Sequence, residues 1–343
     1  MRTDLAAEIL AVRDVVATAV TDSFLEHHPS WIERYGDRAR VRGEEDARHH
    51  IDFLAASLEI GNDESFADYT RWCRGVLESR GIAGSYLAEN FETIGRELQT
   101  RISPEGAALA GLALATGLAV LAGPAEQELP PDETPLTLVR RLYTDAAISG
   151  RRKDALALVR ESLASGSTLL DIYVEIFQEA LYEVGRRWAT TGLSVAEEHM
   201  ATATTQFILS VLYEEASTAA TPRGNAVVTG VRDELHQVGA NIVADALESD
   251  GWDVQFMGAY VPHDGILAAI DEHQPELVGI SATIVSHVGS VRDLISDIRA
   301  HEKQRTRILV GGGAFRSHPD LWREVGADAY AADVRSAVEI ARV

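Results

Sequence analysis

The spacing of apolar residues changes character once along the chain. Up to residue 121 the period is helical: Leu5, Ile9, Val12, Val16, Val20 and Phe24 recur at three- and four-residue steps, and Tyr86, Leu87, Phe91, Ile94 and Leu98 form a second such set. Ser103 followed by Pro104 and Glu105 predicts a helix start, with the serine as N-cap and the proline at the first position. The stretch AGPAEQELPPDETPL, residues 122–136, has no apolar period and predicts a linker, set here at 122–133. Helical spacing resumes over roughly 134–148, 152–164, 167–187 and 194–219, with breaks at Ser149-Gly150, Ser165-Gly166 and Thr191-Gly192. Four helices with short connections predict an antiparallel bundle over 134–222. From residue 223 the pattern is different. AVVTGV (226–231), DVQFMG (253–258), LVGISAT (277–283), RILVGGG (307–313) and a weaker AYAAD (329–333) are short apolar runs, and the first four are each followed by a helical stretch. That alternation predicts a doubly wound, five-stranded parallel sheet over 223–343, with its chemistry outside the carboxyl ends of the strands.

Composition narrows the picture. The chain has 343 residues, 46% hydrophobic and 24% charged, so it can bury a sizeable core in two or three domains. Its formal net charge of −22 repels polyanions, which argues against direct nucleic-acid binding. A single cysteine excludes a disulfide framework and a thiolate-only metal site. The opening MRTDLAAEIL lacks the charged-then-apolar order of a secretory signal, and a cytoplasmic location is expected. Residues 106–124 carry no charge, but they are rich in Ala and Gly and only marginally long enough for a bilayer. They are expected to form a buried or oligomer-interface helix, and no membrane association is expected.

Candidate chemistry collects at the strand ends. Glu234-x-His236-x-x-Gly239 follows the first strand, Ser281-x-Thr283 ends the third, and Gly311-Gly312-Gly313 ends the fourth. In combination these resemble the cobalamin-binding domain shared by methionine synthase, corrinoid methyl carriers and B12-dependent mutases, whose pattern is D-x-H-x-x-G, then S-x-L, then G-G. Here Glu234 stands for the first Asp and Thr283 for the Leu. The resemblance covers about residues 224–343 and implies a flavodoxin-like fold with His236 as the lower axial ligand of cobalt, displacing the cofactor's own benzimidazole. Neutral imidazole suits that role, and Glu234 would orient and polarise it. The resemblance also places Gln237, Val238 and Gly239 at the cofactor, with the displaced nucleotide tail lying against Gly311, Gly312 and Gly313 and hydrogen-bonded by Ser281 and Thr283. The plain alternative is a glycine-rich turn in an ordinary sheet. No Walker or G-x-G-x-x-G pattern follows strand one.

Trp188, followed after nine residues by Glu198-His199, is similar to the W-x9-E-H pattern of CarH-type photoreceptors, which use adenosylcobalamin as a green-light chromophore. That resemblance covers roughly 134–343. It implies that Trp188 packs over the adenosyl group, that Glu198 hydrogen-bonds to it, and that His199 joins the same upper-face cluster. The plain alternative is a core tryptophan and an ordinary helix start. Two departures stand out. No basic MerR-class module is visible, and the position after the Trp, where the best-known member has a cobalt-capturing His, holds Ala189. The expectation is that His199, His263 or water takes that place.

In the first region, residues 34–50 and the following IDFLAASL resemble a helical region of cobalamin-binding sensor proteins, with no mechanism attached. The pairs His27-His28 and His49-His50 read as helix-surface histidines, because neighbours on a helix point about 100° apart. Tyr69 and Trp72 read as core. Residues 1–121 are expected to be an input, output or dimerisation module. The resulting expectation is a non-enzymatic, B12-dependent photoreceptor: a homo-oligomer with a protein signalling partner, binding adenosylcobalamin with cobalt in the corrin. Methylcobalamin and hydroxocobalamin are the other forms considered. A corrinoid methyl carrier serving a separate methyltransferase is the alternative; an isomerase subunit would need a barrel that the pattern does not contain.

Overall fold

The computed structural model describes residues 2–124, 133–215, 221–301, 306–316, 318 and 320–343. They fall into two compact units, Met1–Glu128 and Leu129–Val343. Residues 125–132 of the predicted linker and 216–219 of the predicted fourth bundle helix lie outside the described residues.

The first unit is helical throughout: α1 Thr3–Ala11, α2 Arg13–His27, α3 Ser30–Tyr35, α4 Asp37–Ile60, α5 Asp63–Ser79, α6 Gly84–Arg101 and α7 Pro104–Ala122. The single helix implied by the Leu5–Phe24 period is divided at Val12, whose φ of −105° and ψ of 3° leave the helical region. The period survives because α1 and α2 both pack on α4, burying Ile9, Val16 and Val20. Ser103 caps α7 as predicted, accepting from the Gly106 N–H, with Pro104 opening the first turn. The core is built on Ile9, Ile51, Leu54, Phe66, Leu87, Phe91 and Ile94. Two readings of this region change. His50 is a core residue, 5% exposed, because the inner face of α4 turns it toward Tyr69 and Phe91. Trp72 lies on the outer side of α5 and is 46% exposed, whereas Tyr69 is buried.

Helix α7 is long and apolar enough to cross a membrane by length and composition, and 28% of its most apolar window is buried. Its small residues Gly106, Ala110, Ala113 and Gly117 let it lie close against α5 and α6. A Cβ on Gly117 would stand 2.9 Å from Thr70 Oγ1 and 3.0 Å from the Phe66 ring. Half of the buried-helix expectation therefore holds: one face is buried, and Leu112 on another is 57% exposed.

The second unit begins with the bundle: α8 Thr137–Ile148, α9 Arg152–Ala164, a third helix, and α12 Val195–Glu215. The third helix starts as α10, Leu169–Asp171, widens into a π-helical stretch over Ile172–Gln178, and closes as α11, Glu179–Thr190. The α/β part follows: β1 Gly224–Gly230, α13 Val238–Ser249, β2 Trp252–Gly258, α14 His263–His273, β3 Leu277–Ser281, α15 Val288–His301, β4 Arg307–Gly311, α16 Gly313–Arg316, α17 Leu321–Glu324, β5 Ala329–Ala331 and α18 Val334–Ala341. All strand pairs are parallel, in the order β2-β1-β3-β4-β5. This is the flavodoxin-like order, and it places the topological switch point between β1 and β3.

Bundle and sheet share one hydrophobic core. Tyr143, Tyr173, Ile176, Phe177, Ile208 and Leu212 from the bundle belong to the same buried cluster as Val238, Ile242, Leu247, Val254 and Leu309. Helix α12 packs on α13, and the π-helical stretch packs on α18. At the rim, Arg335 of α18 bonds to Asp171 at 2.7 Å.

Candidate functional site

The carboxyl ends of the three central strands stop level with one another. Gly230 of β1 pairs in register with Ser281 of β3, which pairs with Gly311 of β4. Beyond Gly230 the chain turns through Asp233 in a left-handed conformation, φ 68°, which Asp tolerates better than most residues. The turn sends the Glu234 side chain back beneath the strand ends, where it is fully buried.

Four donors converge on that carboxylate. Oε1 accepts the His236 backbone N–H at 2.8 Å and His236 Nδ1 at 2.7 Å. Oε2 accepts the Thr283 N–H at 2.5 Å and His287 Nδ1 at 3.2 Å. Burial alone would raise the Glu234 pKa, but these hydrogen bonds override it and hold the group well below the usual carboxylate range. His236 moves the other way. Its bond to Glu234 raises its pKa, burial opposes, and the charges of Glu234 and of Glu198 add to the rise.

An ionised carboxylate only accepts, so Nδ1 of His236 carries a proton, and in the neutral ring Nε2 is the lone-pair nitrogen. The His236 side chain is 58% exposed. Among the described residues, no group of three His, Cys, Asp or Glu side chains is placed to hold a bare metal ion. A single outward imidazole backed by a carboxylate instead suits a metal that brings its equatorial ligands with it.

The other predicted residues divide. Gln237 and Gly239 are exposed beside His236, and a Cβ on Gly239 would meet nothing within 4 Å, leaving open room at the start of α13. Val238 points away, 7% exposed, into the shared core. Thr283 acts through its backbone N–H; Ser281 ends β3 half-buried. The glycines have a packing role. Gly312 has φ 99°, and a Cβ on it would lie 2.3 Å from the Ala282 carbonyl oxygen; one on Gly313 would lie 2.8 Å from that of Thr283. The loop after β3 thus requires both glycines, whatever else lies against them. Gly311 is less tight, at 3.3 Å from the Ala331 carbonyl oxygen.

The bundle contributes from one corner. Ser194 and Glu197 form reciprocal bonds at the start of α12: Glu197 Oε2 accepts the Ser194 N–H at 2.9 Å, and Ser194 Oγ accepts the Glu197 N–H at 3.3 Å. This fixes the first turn that carries Glu198 and His199. Glu198 bonds to His199 Nδ1 and accepts from Thr202 Oγ1 at 3.0 Å. The charge of Glu198 is one of the influences that raise the His236 pKa. His199 is 73% exposed and Trp188 is half-buried near the end of α11. Ala189 is 6% exposed, so that position faces the bundle interior. His263 sits 3.5 Å from Asp297, at the start of α14.

His287 escaped the sequence reading. Its signal is a histidine six residues after Ser281, but its partner is 53 residues earlier, and only the folded loops bring the two together.

The site is a carboxylate-backed histidine at the switch point of a doubly wound sheet whose helices pack on a helical bundle. Residues 224–341 match the family model described as a B12 binding domain, and residues 139–213 match a second model of the same description. The chain therefore carries a B12-binding domain preceded by a helical B12-binding module. Dimethylamine corrinoid protein 2 of Methanosarcina mazei is 30% identical over 127 residues, 36% of this chain and 58% of that protein. The HTH-type transcriptional repressor CarH of Myxococcus xanthus is 27% identical over 252 residues, 71% of this chain and 82% of that one. Among solved structures, the monomethylamine corrinoid protein of Methanosarcina barkeri superposes with a TM-score of 0.54 and 20% identity, over 60% of this chain and 98% of that chain, a likeness of fold.

Proposed function

We propose that this protein is a cobalamin-dependent sensor that responds to light, with adenosylcobalamin between the bundle and the sheet. The observation that carries the reading is the His236 imidazole, exposed at the strand ends and held at Nδ1 by the buried Glu234, with Glu198 of the bundle among the charges that act on it. In this reading Nε2 of His236 is the lower axial ligand, and Glu234 holds its ring and tautomer. Gly239 leaves room beside it, with Ser281, Thr283 and Gly311 to Gly313 toward the nucleotide tail. Trp188 supplies an aromatic surface on the upper side, while Glu198 and His199 supply polar anchors there. Bound adenosylcobalamin supplies a cobalt–carbon bond that green light breaks. The bundle residues, relieved of what they held, then shift their packing, and the output is a change in oligomer or in contact with a protein partner. The helical first unit is the input, output or dimerisation module of this scheme.

The test is an absorbance spectrum of the reconstituted protein in the dark and after green light, with size exclusion on both. A His-on dark spectrum that converts, with a changed elution volume, is the expected result. Replacement of Trp188 and Glu198 should reduce the preference for adenosylcobalamin; unchanged photochemistry in that variant sinks the photoreceptor reading.

The relation to dimethylamine corrinoid proteins favours a second reading, a methyl carrier serving a separate methyltransferase. It needs His236 and Glu234 but not the bundle trio. Preference for methylcobalamin, with transfer of its methyl to an acceptor, would select it.

A further inference from the structure

We propose that Tyr260, in the loop after β2, is a binding residue for the corrin, its ring covered by the side of the cofactor that His236 ligates. The proposal rests on the reading of His236 as the lower ligand and adds to it a contact from a second loop.

The argument begins with the backbone. Among the described residues, Asp233, Tyr260 and Gln274 are the non-glycine residues with positive φ. Asp233 is of a type that tolerates this region, and Gln274 closes α14 in the left-handed conformation common at helix ends. Tyr260, at φ 59°, has neither reason. A bulky side chain is strained there, and glycine or asparagine would make the same turn with less strain. Among the described residues nothing offsets it. Tyr260 is 59% exposed and has no ring, hydrogen-bond or ion-pair partner there.

The loop that carries it is seated against the histidine loop. β2 is hydrogen-bonded to β1. A Cβ on Gly230, the last residue of β1, would stand 3.3 Å from Ala259 Cα and 3.4 Å from Glu234 Cγ, so the two loops meet over that glycine. A Cβ on Gly258 would stand 3.6 Å from Gln237 Oε1. Leu235, next to His236, is 73% exposed, so this rim presents two large side chains with apolar bodies beside the exposed imidazole. A macrocycle ligated through Nε2 spreads on every side of that nitrogen and crosses the neighbouring loops. The corrin carries methyls and methylenes around a conjugated ring, a surface suited to covering an aromatic face. Strain held at a site and offset by its ligand is a recognised pattern, and Tyr260 has its form.

The experiment uses the full chain, with and without cob(II)alamin prepared by reducing hydroxocobalamin. Binding is titrated by absorbance, and the axial nitrogen is read from its hyperfine splitting in electron paramagnetic resonance. Circular dichroism gives the melting temperature of the cobalamin-free protein. Tyr260→Asn should bind about 10-fold more weakly, the scale of one aromatic side chain left uncovered. Its cobalamin-free form should melt about 2–4 °C higher, because asparagine tolerates the left-handed backbone. Its axial nitrogen should persist, since His236 is untouched. Tyr260→Phe keeps the ring and should match wild type in all three. An Asn variant that binds as tightly as wild type overturns the proposal. So does one that binds weakly and melts lower, because the tyrosine would then support the loop and not the cofactor. A Phe variant as weak as the Asn variant overturns it too, since the ring face would not be the contact. Failure of the underlying reading looks different. The wild type would then lack axial nitrogen, or His236→Ala would keep it, and the proposal would fall with the reading.

Discussion

His50 in the helical unit and His236 in the α/β unit show how differently one fold can use the same side chain. Nδ1 of His50 lies 2.6 Å from the Tyr69 hydroxyl, and its ring stands edge-on to Phe91. Burial, reinforced by the nearby His49, pushes its pKa down to about 3, so it stays neutral. His236 has a saturated carboxylate behind it and solvent in front. The partner decides the use. A hydroxyl in a dry core makes an imidazole part of the packing, whereas an anion fixed by other donors makes it basic and fixes its orientation.

The largest expected effect comes from His236, the proposed lower ligand. His236→Ala should weaken cobalamin binding by more than the roughly 10–100-fold that loss of a supporting partner costs, and remove the axial-nitrogen signal. A variant that binds normally would erase the distinction between the two histidines.

Next is His50→Leu, which removes the ring nitrogen 2.6 Å from the buried Tyr69 hydroxyl. It should destabilise the first unit by about 1–2 kcal/mol at neutral pH, read from hydrogen exchange along α4, with cobalamin affinity unchanged. The pH dependence gives a second reading. The folded pKa lies below the unfolded value of about 6.5, so the unfolded chain takes up the proton first. Wild-type stability should therefore fall as pH drops from about 6.5 toward 3, and the leucine variant should lose that slope.

The smallest effect sharpens the carboxylate half of the comparison. Asp245 on α13 has Asn241 as a donor at 3.0 Å, and burial with Glu248 nearby pushes it up to about 7. With the folded pKa raised, stability is fullest below the unfolded pKa and declines as pH rises through about 7. Asp245→Asn should flatten that decline and melt slightly above wild type at pH 8. A calorimetric comparison at pH 5 and pH 8 reads it, and an unchanged slope would mean that the number of donors is not what separates Asp245 from Glu234.

Much of this was legible in sequence. The strands announced themselves as apolar runs because both faces of a parallel sheet are covered. Glu234-x-His236-x-x-Gly239 was readable because one loop carries it. What was hidden depends on which way a helix faces or on contacts distant in the chain. His50 and His49 are neighbours in sequence, yet only the packing of α4 decides which turns inward. The tight approach of Gly312 to Ala282 and the reach of His287 to Glu234 join loops from different strands, and no local spacing encodes either. The π-helical stretch within the third bundle helix also left no mark on the apolar period.

The core shared by bundle and sheet constrains how the second unit comes apart. With α12 seated on α13 and the π-helical stretch on α18, detaching the bundle would wet a continuous apolar surface. The two parts should therefore unfold together, in a single calorimetric transition. A bundle expressed without its sheet should aggregate, and motion between them in the native protein is confined to sliding of packed helices over that surface.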